Sequence, residues 1–291
     1  LYFVDKIKLM LKLYYIFICT FLLMSCSTQI VANDNIYKLD NQEIYFKNYG
    51  ESNNPEILLV HGLMGSSTSF DEIVAYLEKD FYLTVIDLPG HGKSNLTIDF
   101  NIEELTLTIN SFIESNFENA TNLVGYSLGG TITNNLLSVK SNKIDKVILI
   151  DPWFSNNTTI DSAAFKLLGF IEKREKNGWL DIDDAQNYAI GMNPNLNLNQ
   201  NKSIGKNRFE YDIKVWDSSI QKGTLIKNEQ YKFDNPVLLI KPESSLVRES
   251  QIRKLENNFS NFSIDEIDDS THMIIFEKPF EISKKIVQFI K

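Results

Sequence analysis

Short apolar runs separated by helical patterns organise most of this chain. The runs are Ile57–Val60, Leu83–Ile86, Leu123–Tyr126, Val147–Ile150, Val237–Ile240 and Ile264–Ile267. Such runs are typical of strands that are buried on both faces. Helical patterns lie between most of them, at Phe70–Leu77, Ile102–Phe112, Leu128–Val139 and Glu249–Asn257. This alternation predicts a mostly parallel, doubly wound α/β sheet.

A hairpin is predicted ahead of the first of these strands. Asn35–Leu39 and Glu43–Asn48 both alternate between apolar and polar residues, and Asp40-Asn41-Gln42 joins them. Alternation on both sides of turn-forming residues is the pattern of a β-hairpin. We expect this hairpin to form the antiparallel edge of the sheet.

The alternation of strands and helices stops in residues 152–233. Helical stretches such as Ser162–Lys173 and Ile182–Ala189 alternate there with Asn-rich loops. An insertion of this kind between two strands of a sheet fits a lid or cap. We therefore expect a core made of residues 35–151 and 234–291, with residues 152–233 forming a helical cap.

The first thirty residues carry the pattern of an export signal. Lys6, Lys8 and Lys12 precede an apolar run from Leu13 to Met24. This run is about half of the ~20 residues that a transmembrane helix needs, so it fits the h-region of a removable signal peptide. The residues from Met10 onward would suffice as the positively charged n-region of the signal peptide, so Met10 is an alternative first residue of the protein.

The end of that apolar run, Leu23-Met24-Ser25-Cys26, resembles the lipobox of bacterial lipoproteins. In such proteins the chain is cut just before the cysteine, and the cysteine thiol is acylated. The resemblance implies a signal peptide in residues 1–25, a lipid on Cys26 and a tether in residues 26–34. It also implies a lipid-anchored protein of the bacterial cell envelope, at the outer membrane if the cell has two membranes.

Composition and charge narrow the possible partners. The chain has 291 residues, of which 43% are hydrophobic, which is enough for one substantial core. Its formal net charge of -9 leaves no basic face to neutralise a phosphate backbone, so we expect no nucleic-acid partner. The two cysteines are Cys19, within the segment to be removed, and Cys26. The mature domain is therefore expected to hold no disulfide.

The strongest chemical signal is Gly125-Tyr126-Ser127-Leu128-Gly129, which follows a buried apolar run and opens a helical pattern. This is the G-x-S-x-G nucleophile elbow in the context of a strand followed by a helix. Side chains at Gly125 and Gly129 would collide with neighbouring backbone in so tight a turn. The turn would present Ser127 Oγ as a nucleophile, and the amide of Leu128 could donate to a developing oxyanion.

Two further motifs come after the two preceding strands. His61-Gly62-Leu63-Met64-Gly65 follows the first buried run, and Asp87-Leu88-Pro89-Gly90-His91-Gly92-Lys93-Ser94 follows the second. With these motifs in this order, the chain from about Asn35 to its end resembles the α/β-hydrolase superfamily. Within the superfamily it is similar to the cap-bearing esterases and small-molecule hydrolases.

The resemblance implies roles for several other residues. The amide of Leu63 would be the second oxyanion donor, while His61 and His91 would hold loops together and take no part in a catalytic triad. Ser270-Thr271-His272-Met273 lies where the family places its base, and the following Phe276-Glu277-Lys278-Pro279 strengthens the match. A neutral imidazole there can take the proton of the nucleophile and return it to the leaving group.

The third member of the triad departs from the family's usual pattern. The family usually has an aspartate after the seventh strand, but the corresponding residue here is Ser245, and a serine cannot stabilise an imidazolium as a carboxylate does. Asp151 is the preferred acid because some members, including haloalkane dehalogenases, carry their acid at the end of the preceding strand. Glu243 is the alternative acid. Asp268 and Asp269 are expected to be solvated loop residues.

Together these residues predict hydrolysis of a carboxylic ester, or of a thioester, amide or lactone, through an acyl-enzyme on Ser127. Dehalogenation and epoxide hydrolysis are disfavoured, since those relatives carry aspartate at the elbow. We expect a small-molecule or lipid ester as substrate, and neither a metal nor an organic cofactor. Two alternatives stay open: a non-catalytic ligand-binding protein on the same scaffold, and an acyltransferase with an acceptor other than water.

Substrate choice is expected to lie mainly in the cap, which supplies apolar surface. Most of its large apolar side chains are expected to pack within the cap rather than to touch the substrate. They are Trp153, Phe154, Phe165, Leu167, Leu168, Phe170, Trp179 and Trp216.

Overall fold

The structure is a computed structural model that describes residues 33–139, 141–154, 178–215 and 233–291. Several predictions fall on other parts of the chain. The signal peptide, the lipid on Cys26 and the helix Ser162–Lys173 lie outside the described residues.

Eight strands of the described chain form one sheet. They are β1 Asn33–Leu39, β2 Gln42–Tyr49, β3 Glu56–Val60, β4 Tyr82–Ile86, β5 Thr121–Tyr126, β6 Ile144–Ile150, β7 Val237–Pro242 and β8 Phe262–Ile267. Their spatial order is β1-β2-β4-β3-β5-β6-β7-β8. The pairs β1–β2 and β2–β4 are antiparallel, and all the others are parallel. The predicted mostly parallel, doubly wound α/β sheet is confirmed.

The strands β1 and β2 form the predicted hairpin at the antiparallel edge. Leu39 pairs with Gln42, so Asp40 and Asn41 make a two-residue turn. Asp40 has a φ of 51°. Two-residue hairpin turns commonly place residues at positive φ, and aspartate tolerates that conformation better than most residues do.

The prediction that the last apolar run is buried on both faces is wrong. β8 is the edge strand beyond β7, and its Ile264 is 37% exposed. Only Ile267, at the end of the strand, is buried. The run also contains Asp265 and Glu266, which suit an edge strand better than a central one.

Helices cover both faces of the sheet. In the described chain they are α1 Asp71–Leu77, α2 Ile102–Asn116, α3 Leu128–Leu136, α4 Ile182–Met192, α5 Leu198–Glu210, α6 Glu249–Asn258, α7 Ile274–Glu277 and α8 Pro279–Ile290. The helices α2, α3 and α6 share a core with one face, whereas α1, α7 and α8 share a core with the other. In β3, Leu58 and Val60 lie in the first core, and Ile57 and Leu59 lie in the second. This strand is therefore buried on both faces, as its apolar run predicted.

The helices α4 and α5 lie in the insertion between β6 and β7 and pack against each other. Gly205 of α5 approaches α4 so closely that a Cβ atom there would lie 2.4 Å from Gln186 Cα. The predicted helix Ile182–Ala189 is present in α4, whereas α5 was not among the helices named from the sequence. Asn197 caps α5 by accepting from the amide of Gln200, which in turn accepts from the amide of Asn197. This capping box offsets the low helix propensity of the asparagines.

No helix within the described ranges is both long enough and apolar enough to cross a membrane.

Candidate active site

Ser127 lies in a strained turn between β5 and α3, with a φ of 53°. The turn requires glycine on both sides of the serine. A Cβ atom at Gly125 would lie 2.4 Å from Thr133 Oγ1, and one at Gly129 would lie 2.1 Å from the carbonyl oxygen of Val60. A non-glycine residue at positive φ costs on the order of 1–3 kcal/mol, which the surrounding packing must offset. The chain thus uses a strained backbone to hold this one hydroxyl in place.

A continuous hydrogen-bonded chain joins Ser127, His272 and Asp151. His272 Nε2 lies 2.9 Å from Ser127 Oγ, and His272 Nδ1 lies 2.6 Å from Asp151 Oδ2. The carboxylate can only accept, so Nδ1 carries the proton and Nε2 is free to accept from the serine hydroxyl. The structure therefore brings together the predicted nucleophile, the predicted base and the preferred acid.

The carboxylate of Asp151 is fully buried and held by three donors. Besides His272, Ser245 Oγ donates to its Oδ1 at 2.6 Å and the amide of Leu246 donates to the same oxygen at 3.1 Å. The backbone of Asp151 has a φ of 38°, and its amide donates to the carbonyl of Ile240. Ser245, which stands where the resemblance implied an aspartate, thus donates to the carboxylate of the preferred acid.

Glu243, the alternative acid, lies in another part of the network. Its Oε2 accepts from the amide of Asp269 at 3.2 Å, and no bond joins it to His272. Asp269 has a φ of 48°. Glu243 therefore stabilises the loop that carries the histidine. Asp268 and Asp269 are both exposed, as expected for solvated loop residues.

Two positioning residues were not assigned roles from the sequence. Tyr126 stacks on the imidazole of His272 with 5.2 Å between ring centroids, and its hydroxyl donates to the carbonyl of His272 at 2.7 Å. Glu277 accepts from the amide and the hydroxyl of Thr271 at 2.7 and 2.8 Å. Both belong to motifs that were noted, but neither motif specifies that its side chain holds the histidine loop.

The predicted oxyanion donors, the amides of Leu63 and Leu128, are near the nucleophile. Leu128 is the first residue of α3, where amides have no carbonyl of their own helix to bond. Leu63 and its neighbour Gly62 line the same cavity as Ser127. A Cβ atom at Gly62 would lie 2.9 Å from Ser127 Cβ, so glycine is needed for this close approach. The role of both amides stays a prediction.

His61 and His91 are buried supports of this loop and do not touch Ser127. His61 accepts from the amide of Leu88 through Nε2 and donates from Nδ1 to the carbonyl of Gly62. His91 accepts from the amide of Met64 at 3.1 Å in the same way, and its Nδ1 donates to a carbonyl. Both rings therefore act as neutral imidazoles that link loops, as the resemblance implied.

A cavity of about 510 Å³ opens beside Ser127 and His272. This volume lies in the range of small-molecule sites. Most of its wall is apolar. The end of α4 contributes Met192 and the residue after it, Asn193, and α5 contributes Ile204, Asn207 and Arg208. In the parts of the chain that the structure describes, no group of three or more His, Cys, Asp or Glu side chains is placed to hold a metal ion.

The large apolar residues predicted in the cap have different surroundings. Trp153 lines the cavity, whereas Phe154 is buried in the core against the sheet. Trp179 donates from Nε1 to the carbonyl of Arg208. The others lie outside the described residues: Phe165, Leu167, Leu168, Phe170 and Trp216.

Comparison with known families identifies the fold family of this chain. A family described as alpha/beta hydrolase fold matches residues 55–279, which is more than half of the chain and includes Ser127, Asp151 and His272. The chain belongs to the α/β-hydrolase fold family. Among curated relatives, this α/β hydrolase is 23% identical to the uncharacterised hydrolase YugF of Bacillus subtilis (strain 168), over 88% of this chain and 97% of YugF. It is 24% identical to the pimeloyl-[acyl-carrier protein] methyl ester esterase of Wigglesworthia glossinidia brevipalpis, over 82% and 95% of the two chains.

Solved structures agree with this assignment of the fold. A marine microorganism esterase superposes with a TM-score of 0.72 at 20% identity, over 86% of this chain and all of the esterase. The carboxylesterase CesB of Bacillus subtilis superposes with a TM-score of 0.70 at 16% identity, over 90% and 92% of the two chains. At these identities the likeness shows a shared fold. The chain is thus a hydrolase-family protein whose substrate has to be argued from its own site.

The buried histidines predict how stability depends on pH. Burial lowers the pKa of His61 from 6.5 to about 4 and that of His91 from 6.5 to about 3, with His61 adding to the effect at His91. Between pH 6.5 and these values the unfolded chain binds protons that the folded chain excludes. The free energy of unfolding should therefore fall as the pH drops through this window, by up to about 1.4 kcal/mol per pH unit for each histidine.

Urea unfolding of the wild type and of His91→Gln at pH 7, 6 and 5 measures this effect. The Gln side chain can still accept a hydrogen bond from the amide of Met64, but it does not titrate. The variant should therefore lose less stability between pH 6 and 5 than the wild type. An unchanged slope of the unfolding free energy against urea concentration would show that the variant and the wild type expose the same amount of surface on unfolding. Equal losses in the two proteins would contradict the account.

Proposed function

We propose that this protein is a serine hydrolase that cleaves a carboxylic ester through an acyl-enzyme on Ser127. The observation that carries the proposal is the hydrogen-bonded chain from Ser127 through His272 to the buried Asp151. A serine hydroxyl is a weak nucleophile by itself, and it is activated by a base that a third group orients. All three groups are present here in that order.

The reaction follows from the protonation states of these groups. His272 Nε2 takes the proton of Ser127 as Oγ attacks the ester carbonyl and forms a tetrahedral intermediate. The intermediate breaks its bond to the alcohol oxygen, which receives the proton from His272, and an acyl-enzyme remains. Water then attacks the acyl group while His272 again takes a proton. Cleavage of the bond to Oγ returns that proton to Ser127 and releases the carboxylic acid.

Asp151 stabilises the imidazolium that forms at His272 in each step. Because the carboxylate is fully buried, its interaction with the imidazolium is screened little by water. The amides of Leu63 and Leu128 are proposed to donate to the oxyanion of the tetrahedral intermediate. The helix N-terminus at Leu128 favours negative charge at this point.

The choice of an ester as substrate is supported by relatives and by the cavity. The esterase from Wigglesworthia and the two esterases that share the fold are named for ester cleavage. The apolar wall suits an acyl chain or a small apolar alcohol. It includes Leu63, Met64, Trp153, Met192, Leu246, Met273 and Phe276. We propose a small-molecule or lipid ester as the substrate class.

The helices α4 and α5 are proposed to belong to a cap over the site. Hydrogen bonds join α5 to the core at both ends, since Gln200 donates to the carbonyl of Phe276 and Asn207 Oδ1 accepts from Ser66 Oγ. A helix held in this way would form a stable wall of the substrate cavity. The non-catalytic alternative rested on Ser245, which stands where the family usually has its acid. In the hydrogen-bonded chain the carboxylate comes from Asp151 instead.

The triad is tested by matched variants of its two candidate acids. We expect Ser127→Ala and Asp151→Asn each to lower kcat for p-nitrophenyl butyrate by about 10³-fold or more, because they remove the nucleophile and the group that orients the base. Glu243→Gln alters a charged group of the neighbouring loop and should change kcat by less than about fivefold. A larger loss in Glu243→Gln than in Asp151→Asn would overturn the assignment of the acid.

We also propose that the protein is anchored to a bacterial membrane through a lipid on Cys26. The support is the lipobox-like sequence before that cysteine. When the full chain is expressed in a bacterium fed with an alkyne-labelled fatty acid, the wild type should carry the label and partition with membranes. Cys26→Ser should carry no label, and Cys19→Ser should behave as the wild type. Label on the Cys26→Ser protein would contradict this anchor.

A further inference from the structure

One charged group in the substrate cavity has no part in the reaction described above. Arg208 lies in the last turn of α5 and lines the cavity that contains Ser127 and His272. Ile204, one helical turn before Arg208, lines the same cavity, and residues four apart lie on the same face of a helix. Arg208 therefore belongs to the face of α5 that is turned toward the site.

The guanidinium of Arg208 holds a buried donor without an acceptor. Its Nη1 is shielded from solvent and has no hydrogen-bond partner in the described chain. A buried polar group left unpaired costs free energy, and a charged one costs more than a neutral one. Because Nη1 is closed to solvent, Arg208 lines the cavity with its other atoms, and an anion in the cavity would stabilise the charge of the guanidinium as a whole.

The carboxylates around the site are engaged with other groups. Asp151 is held by His272 and Ser245, and Glu277 accepts both hydrogen bonds of Thr271. Farther along α5, Glu210 pairs with Lys206 at 3.7 Å. The charge of Arg208 is therefore not neutralised by these acids and is available to an anion in the cavity.

The position of Arg208 is fixed by its neighbours. Asn207 Oδ1 accepts from Ser66 Oγ at 2.8 Å and from Thr68 Oγ1 at 3.2 Å, and Trp179 Nε1 donates to the carbonyl of Arg208 at 3.1 Å. The backbone that carries the guanidinium is thus attached to the loop after β3 and to the start of the described insertion. A fixed backbone reduces the conformational freedom that remains to be lost when the side chain binds a ligand.

We propose that Arg208 recognises a carboxylate on the substrate, so that the protein prefers esters that carry one free carboxylate, such as monoesters of dicarboxylic acids. This proposal rests on the proposed hydrolase function and adds the substrate class. Guanidinium and carboxylate match in geometry and form strong, charge-assisted hydrogen bonds. A single positive charge in a mostly apolar wall balances one negative charge. A phosphate monoester would bring nearly two negative charges, and one of them would have no positive partner in the cavity wall.

The test compares two esters of equal acyl length on the full-length protein. The p-nitrophenyl monoester of glutaric acid carries a terminal carboxylate, and p-nitrophenyl pentanoate is its neutral counterpart. The readout is the ratio of kcat/KM for the charged ester to kcat/KM for the neutral ester, so a general loss of activity cancels. We expect Arg208→Gln to lower this ratio by about tenfold or more and Arg208→Lys to lower it by less.

Lys206→Gln is the matched control. It removes one positive charge from the same helix at a side chain that is 49% exposed, so it should leave the ratio unchanged. An unchanged ratio in Arg208→Gln, or an equal fall in Lys206→Gln, would overturn the proposal. An ester with a terminal phosphonate in place of the carboxylate should be the poorer substrate. If it is the better one, the carboxylate assignment is wrong.

A binding measurement keeps this inference separate from the proposed hydrolysis. Calorimetry with the full-length Ser127→Ala protein should detect tighter binding of monomethyl glutarate than of dimethyl glutarate, and adding Arg208→Gln should remove the difference. Hydrolysis of the neutral ester without any such difference would overturn the role of Arg208 and leave the hydrolase intact. Binding of the charged ester by a protein that cleaves neither ester would overturn the hydrolase instead.

Discussion

The carboxylate of Asp151 is removed entirely from water, and this burial sets the requirements that the rest of the site meets. A buried charge is tolerated only where hydrogen bonds and an opposite charge replace its hydration. Ser245, Leu246 and His272 supply those donors from the loops after β7 and β8. The same bonds fix the imidazole in one tautomer and turn Nε2 toward Ser127. The position of His272 is thus a consequence of satisfying the buried carboxylate.

The parallel sheet explains how residues so far apart in sequence meet. Ser127, Asp151 and His272 follow β5, β6 and β8, whose carboxyl ends lie at one edge of the sheet. Ser127 and Asp151 both adopt positive φ. A strained backbone of this kind persists only where the surrounding packing holds it in place, and strained residues cluster at functional sites. Gly125 and Gly129 allow the close packing around Ser127, and Arg208 of α5 lines the same cavity as this serine.

Local pattern predicted the order of the strands, the elbow and the base, because these depend on short segments with strict geometric requirements. Asp151 was preferred over Glu243 only by resemblance, since the choice depends on where two loops meet in space. The helix α5 was not named from the sequence because its asparagines have low helix propensity. Its stability comes from the cap at Asn197 and from packing on Gln186. The burial of β8 was overestimated because an apolar run does not reveal that a strand lies at the edge. Tyr126 and Arg208 act through tertiary contacts that no motif encodes.

The proposed catalytic arrangement is that Asp151, acting through His272, makes Ser127 the nucleophile. Its most direct test is the rate and position of covalent labelling by a fluorophosphonate, followed by intact mass and peptide mapping. We expect one label per chain, on Ser127, and labelling of Asp151→Asn that is slower by about 10²-fold or more. No label on the folded protein, a label on another residue, or equal rates for Asp151→Asn and the wild type would contradict it.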